Sequence, residues 1–193
     1  DPKLEVLQRL RTARRARVVG LRAGARGWVL AGLAAQLDSQ LLCVTADEAA
    51  ADALAADLAF FLGGEGTPTE PTVVQLPAEE SMPWDELIPD AGLVTDRLGA
   101  LFHLGRGSQV KALVVPARAL LKRVLPPAVM SSLCQVLRPE EEVSRDALAL
   151  QLAQLGFRNV PLVEDVGTFS VRGDILDVFP PLADRPVRLE FFG

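Results

Sequence analysis

The chain has 193 residues, 49% hydrophobic and 23% charged, with a formal net charge of −5. That composition supports one or two globular domains with ample material for a core and gives no general pull toward nucleic acid. It contains no apolar run of membrane length and no signal-peptide pattern.

The charge is uneven. Residues 1–26 carry eight Lys or Arg and two acids, whereas residues 27–96 carry thirteen acids and no Lys or Arg. Residues 4–17 read as a helix without internal Gly or Pro. Leu4, Leu7 and Leu10 share one side, and Arg11, Arg14 and Arg15 continue it as a solvated basic face. Residues 17–20 (RVVG) read as a short buried strand entering a Gly-rich loop, and residues 28–37 as a helix. Residues 40–45 (QLLCVT) form a continuous apolar run, the pattern of a parallel strand covered on both faces. Thr45 and Glu48 match a capping box for an Ala-rich helix over 46–62, which Gly63-Gly64 closes. A polar loop over 63–71, a strand over 72–76 and an acidic loop over 77–92 containing Trp84 follow. A helix is expected over 93–104, a buried strand over 111–116 (KALVVP) and a short helix over 117–124. Pro126-Pro127 marks a domain boundary. Beyond it, a strand is expected near 134–137, an acidic turn at 140–142, and a helix over 145–155 with Ser144 as N-cap and Gly156 as its end. Cys43 and Cys134, both in apolar runs, read as small buried hydrophobes in a reducing compartment.

Residues 20–27 occupy the position of a phosphate-binding loop, which needs G-x-x-x-x-G-K-S/T between a strand and a helix. Here Gly20, Gly24, Ala25, Arg26 and Gly27 stand in that frame. Ala25 replaces the second glycine, Arg26 the lysine, and Gly27 lacks the hydroxyl that holds magnesium. Arg26 at a helix N-terminus still offers an anion some attraction, but the pattern does not support hydrolysis. The plainer reading is an ordinary Gly-rich turn.

The last stretch, residues 167–193 (GTFSVRGDILDVFPPLADRPVRLEFFG), alternates with period two. Phe169 and Val171 alternate with Ser170 and Arg172; Val187, Leu189 and Phe191 alternate with Arg188, Glu190 and Phe192. The alternation turns Arg172, Arg188, Glu190 and Phe192 away from the core. An outward Phe beside two guanidinium groups suits a binding surface; an Arg–Glu cross-strand pair with a Phe packed on continuing chain is the plainer account. The chain stops at Phe191-Phe192-Gly193, directly after a strand pattern, as a piece of a longer protein would.

"GTFSVRGDILDVFPP" followed by "VRLEFF" resembles the second domain of the UvrB type, found in the UvrB excision subunit and in the N-terminal region of bacterial transcription-repair coupling factors. "MPWDELIPD" to "RLGALFHL", residues 82–104, is similar to the coupling-factor version of its segment. UvrB keeps a working phosphate loop and a Tyr-rich hairpin. This chain has a degenerate loop, no tyrosine, and Glu79, Glu80, Asp85, Glu86 and Asp90 where the hairpin belongs. The resemblance therefore implies the coupling-factor family. It implies an α/β fold: a parallel-sheet, degenerate P-loop-like domain over 1–125 and a smaller α+β, UvrA-binding domain over 126–193. Arg172, Arg188 and Phe192, with Glu190 beside them, match the positions that meet UvrA in those families, which predicts an acidic facing surface on UvrA. The resemblance implies a non-catalytic, cytoplasmic bacterial module without cofactor of its own. An ATP- and magnesium-dependent DNA translocase and an RNA-polymerase-binding part are expected downstream, and the module is expected to pack on that remainder. A UvrB-like ATPase is the alternative, with Arg26 in place of lysine. The single histidine, His103, and two separated cysteines make a poor zinc site. Asp174 and Asp177 read as solvated strand-edge acids.

Overall fold

A five-residue parallel strand pairing organises the first part of the chain. Leu41–Thr45 (β1) lies beside Ala112–Pro116 (β5), with Cys43 opposite Val114, and β5 in turn pairs in parallel with Val73–Gln75 (β4). The computed structural model describes residues 2–37, 40–63, 66–67, 70–78, 91–106, 110–134, 136–181, 183 and 185–192. The acidic loop residues at 79–90, Trp84 among them, and Gly64 lie outside the described residues. The chain divides into two compact units, Asp1–Leu125 and Pro126–Gly193.

In the first unit the elements are Pro2–Ala13 (α1), Ala25–Gln36 (α2), β1, Glu48–Phe61 (α3), a small antiparallel pair Gly66–Thr67 (β2) and Glu70–Pro71 (β3), β4, Ala91–Gly105 (α4), β5 and a 3-10 turn Ala117–Leu121. Among the described residues the main sheet has three strands in the order β1-β5-β4. One face carries Cys43, Ala112 and Val114 and packs against Ala31 of α2 and Ala51 and Leu58 of α3. On the other face Val74 and Val115 pack with Ala100 of α4 and Ala119 of the 3-10 turn. α1 adds Leu7 to Val29 and Leu33 of α2.

Several expectations change here. Residues 17–20 form no strand, and Val19 is 74% exposed. β-propensity reflects how well side chains fit a paired surface, and no described strand pairs with this run. β1 is covered on one face only: Cys43 is buried, but Leu42 and Val44 are 59% and 52% exposed, because α4 covers the β4–β5 side of that face. The cap of α3 is Asp47, whose carboxylate accepts from the Ala50 N–H at 2.8 Å, while the Thr45 hydroxyl donates to the Asp47 carbonyl. Glu48 instead accepts from the Ala78 N–H at 3.1 Å, tying α3 to the end of β4. Gly63 follows the helix at φ 92°, a conformation that Gly adopts without strain.

The second unit holds Pro127–Leu133 (α5), Arg145–Gln154 (α6), Arg158–Asn159 (β6), Thr168–Arg172 (β7), Ile175–Phe179 (β8) and Val187–Glu190 (β9). Pro127 opens α5 as its first residue, where a missing N–H costs nothing. The strand expected near 134–137 is absent among the described residues; the chain there is irregular, and Cys134 is only half-buried. Ser144 caps α6 through the Ala147 N–H, and Gly156 ends it at φ 91°. The sheet order is β6-β7-β8-β9, with β6 parallel to β7 and the other pairings antiparallel. Leu148 of α6 packs on Phe169, Leu176 and Val178, with Leu189 and Phe191 at the margin. The fold class is therefore mixed α/β: a parallel three-stranded sheet in one unit and a mixed sheet in the other.

Candidate functional site

Register decides which side chains share the outer face of the second sheet. Directly paired residues of neighbouring strands point to the same side. Arg172 pairs with Ile175 and Ile175 with Glu190; Ser170 pairs with Asp177 and Asp177 with Arg188. The opposite side carries Phe169, Leu176 and Val178 and holds the core. The outer face thus brings Arg172, Asp177, Arg188 and Glu190 together in two adjacent rows. Gly173, at φ 57°, makes the tight turn that fixes the β7–β8 register. Beyond β9 the Phe191 N–H donates to the Asp174 carbonyl at 2.8 Å, so pairing extends one step. Phe191 packs at the core margin, whereas Phe192 is 89% exposed.

The two arginines are both held. Arg188 donates from Nε to Asp177 Oδ1 at 2.7 Å and from Nη2 to Asp177 Oδ2 at 2.9 Å, a bidentate pair. Arg172 donates through Nη2 to the Pro161 carbonyl. The hydrogen bonds from Arg188 hold the Asp177 carboxyl below its ordinary range, and the nearby Arg172 charge adds to this. Asp177 raises Arg188 in return, with a smaller push from Glu190. The cross-strand acid that pairs with Arg188 is therefore Asp177, whereas Glu190 lies on the same strand as Arg188. Asp177 is not a solvated edge acid: it sits on the inner strand β8 with a side chain 20% exposed. Asp174, at the turn, is open to solvent and 3.8 Å from Arg145. Ser170 also departs from simple alternation: it is buried on the outer face, as is Thr168, whose hydroxyl donates to the Asp165 carbonyl at 2.6 Å.

The loop over residues 20–27 is arranged differently from a phosphate cradle. Such a cradle leaves backbone N–H groups free to face the anion. Here the Ala25 N–H donates to the Arg22 carbonyl at 3.1 Å and the Arg26 N–H to the Ala23 carbonyl at 3.2 Å. Helix α2 follows the loop, but no strand precedes it, so the expected strand–loop–helix context is only half present. Ala23, Arg26, Leu30, Leu42, Val44 and Asp57 contribute to an open groove of about 560 Å³. A β-carbon on Gly27 would lie 2.4 Å from Asp57 Cβ and 3.2 Å from the Asp57 carbonyl carbon; one on Gly24 would lie 3.6 Å from Asp57 Oδ1. An acidic side chain therefore lies against the start of α2, where a nucleotide would place its phosphates and be repelled.

Elsewhere the chemistry is structural. His103 is buried in α4, and burial, helped by Arg106, pushes its pKa down. Burial pushes both the Cys43 and Cys134 thiols up, which suits unreactive side chains. Among the described residues no group of three or more His, Cys, Asp or Glu is placed to hold a metal, and no helix is long and apolar enough to cross a membrane.

The second unit is thus a mixed sheet backed by α6, with an outward face of paired and exposed charged side chains. Residues 136–193, which contain that whole sheet, match the UvrB interaction domain. Across its full length the chain is similar to transcription-repair-coupling factors. It is 57% identical over 192 residues to that of Myxococcus xanthus, covering 100% of this chain and 16% of the relative. It is 36% identical over 177 residues to that of Mycobacterium tuberculosis, covering 89% of the chain and 14% of the relative. It is 35% identical over 124 residues to that of Escherichia coli, covering 64% of the chain and 11% of the relative. The chain thus spans about a sixth or less of these relatives. The resemblance read from the residues holds: the chain is similar to transcription-repair-coupling factors, and residues 136–193 match the UvrB interaction domain.

Proposed function

We propose that this chain is a non-catalytic docking module that binds UvrA through the outer face of its second sheet. One observation supports the reading most: Arg172, Arg188 and the exposed Phe192 lie on or beside a single sheet face, within the stretch that matches the UvrB interaction domain. Phe192 supplies a rigid apolar anchor and the arginines directional cationic donors, the residue types enriched where binding energy concentrates. The surface calls for carboxylates on UvrA opposite the guanidinium groups. Glu190, in the same row as Arg172, repels a misregistered acidic partner.

The first unit is a P-loop-like domain whose loop has lost its nucleotide. Its self-satisfied amides, the closeness of Asp57 and the missing hydroxyl at Gly27 support that reading over a UvrB-like ATPase. In a bacterial, cytoplasmic coupling factor this module recruits UvrA to stalled transcription for excision repair. The translocase with its ATP and magnesium, and the contacts to DNA and RNA polymerase, belong to the remainder of that protein, on which the module packs and which masks the UvrA face until a polymerase is engaged.

Titration of UvrA with the chain tests the docking face. Arg172→Ala, Arg188→Ala and Phe192→Ala are each expected to weaken binding by about tenfold or more, the scale of an interface hot spot. Unchanged affinity in all three would remove the reading.

A further inference from the structure

The Arg188–Asp177 pair has a geometry that a plain surface ion pair lacks. The two residues are direct cross-strand partners on β9 and β8, so their side chains leave the sheet side by side. Asp177 is the more enclosed member, 20% exposed against 60% for Arg188. Both of its oxygens are engaged by one edge of the guanidinium, through Nε and Nη2. The other edge stays open: among the described residues Nη1 of Arg188 has no hydrogen-bond partner. An arginine carries large rotamer entropy, and ordering such a side chain on binding subtracts from affinity. A carboxylate that holds the inner edge removes that loss beforehand and aims the outer edge away from the sheet.

We propose that Asp177 is a positioning residue for partner recognition: it clamps the Arg188 guanidinium so that its Nη1 side is presented, already ordered, to a carboxylate of the docking protein. Arg172 is tethered in the same spirit by the Pro161 carbonyl. The face is then a pre-organised pair of cations two strand spacings and one row apart, their Cα atoms about 12 Å apart. This inference rests on the UvrA reading of the face.

A double-mutant cycle with the full chain and UvrA tests it. Asp177→Asn is expected to weaken binding about three- to tenfold, the cost of ordering one rotamer-rich side chain on binding. In the Arg188→Ala background the same change is expected to do nothing further, since there is no guanidinium left to aim. Arg188→Lys, which keeps the charge but cannot form the two-point clamp, is expected to lose at least as much as Asp177→Asn. Asp177→Glu is expected to recover part of the affinity. If Asp177→Asn binds as well as or better than the parent, Asp177 competes with the partner and the proposal fails. If it loses equally in both backgrounds, Asp177 only supports the sheet, and the proposal fails again. The docking reading itself is at stake in a different result: Arg188→Ala leaving affinity intact would remove both. Should Asp177→Asn not fold, the Arg188→Lys and Asp177→Glu arms decide, because neither removes a charge.

Discussion

Arg188 has two carboxylates within reach along the sequence pattern, Asp177 across the sheet and Glu190 two places along its own strand. Cross-strand partners sit closer than same-strand neighbours two apart, so Asp177 wins. The consequence for titration follows from the direction of its shift. Arg188 and then Arg172 favour the charged carboxyl, and Glu190 lies one row away on the same face. The folded state therefore holds Asp177 below the unfolded value of about 3.9. Its stabilisation is fully present above that value and is lost as pH falls through the lower, folded one. NMR titration is expected to show Asp177 titrating below an ordinary aspartate, and Arg188→Ala to return it toward the ordinary range. A midpoint unchanged by that substitution would contradict the pairing. The effect on stability is small, because Arg188 is mostly in water and solvent screens the pair.

At the level of elements, the start of α2 and the last turns of α3 explain why residues 20–27 cannot simply be made into a working phosphate loop. The two helices approach so closely at Gly27 and Asp57 that even one added carbon meets backbone. Gly27→Ala is expected to destabilise the first unit by about 1–3 kcal/mol, as overpacking does, outweighing a helix-propensity gain of about 1 kcal/mol at most. Gly24→Ala, which meets only the Asp57 carboxylate at ordinary contact distance, is expected to cost less. Thermal melts of the two variants check the contrast; equal melting temperatures would count against this packing. The same contact makes Gly27→Ser, the substitution that restores the magnesium-binding hydroxyl, a packing defect before it is a chemical gain. Local capping signals held at the start of α6 and at the ends of α3 and α6. Ser144 opens α6, and Gly63 and Gly156 follow the ends of α3 and α6, because capping depends on near neighbours alone. The cap of α3 moved from Thr45 to Asp47 because either residue type can serve, and the end of β1 settled which.

On the scale of the whole molecule, the first unit holds a loop whose amides bond within the loop, and the second a sheet face on which Arg172 and Arg188 are each held by an acceptor. Titration with Mg-ATP is expected to give no saturable binding and no turnover from this chain; either one would restore the ATPase reading. Much of this was legible in order along the chain. The strands at 41–45, 73–75 and 112–116, the helices between them, and the outward placement of Arg172, Arg188, Glu190 and Phe192 follow from hydrophobic period and turn residues, which are local properties. Other features were not. Val18-Val19 looks like a strand but has no described partner, since pairing needs a neighbour that composition cannot supply. Leu42 and Val44 look buried but are open, since what covers a strand face is set by where other helices land. Gly27 reads as a missing hydroxyl but acts as a helix contact, since its neighbour lies thirty residues on. Asp177 reads as a solvated acid but clamps an arginine, since the seven-residue link from β8 to β9 leaves register to side-chain packing rather than to a tight turn. The amino-acid order by itself therefore determined the type of the strongly periodic elements, their capping residues and which side of the second sheet's strands faces water, because these depend on residues within a few positions of one another. Only the tertiary structure decided which charge meets which, and how closely two helices pass, because those distances depend on residues far apart in the chain.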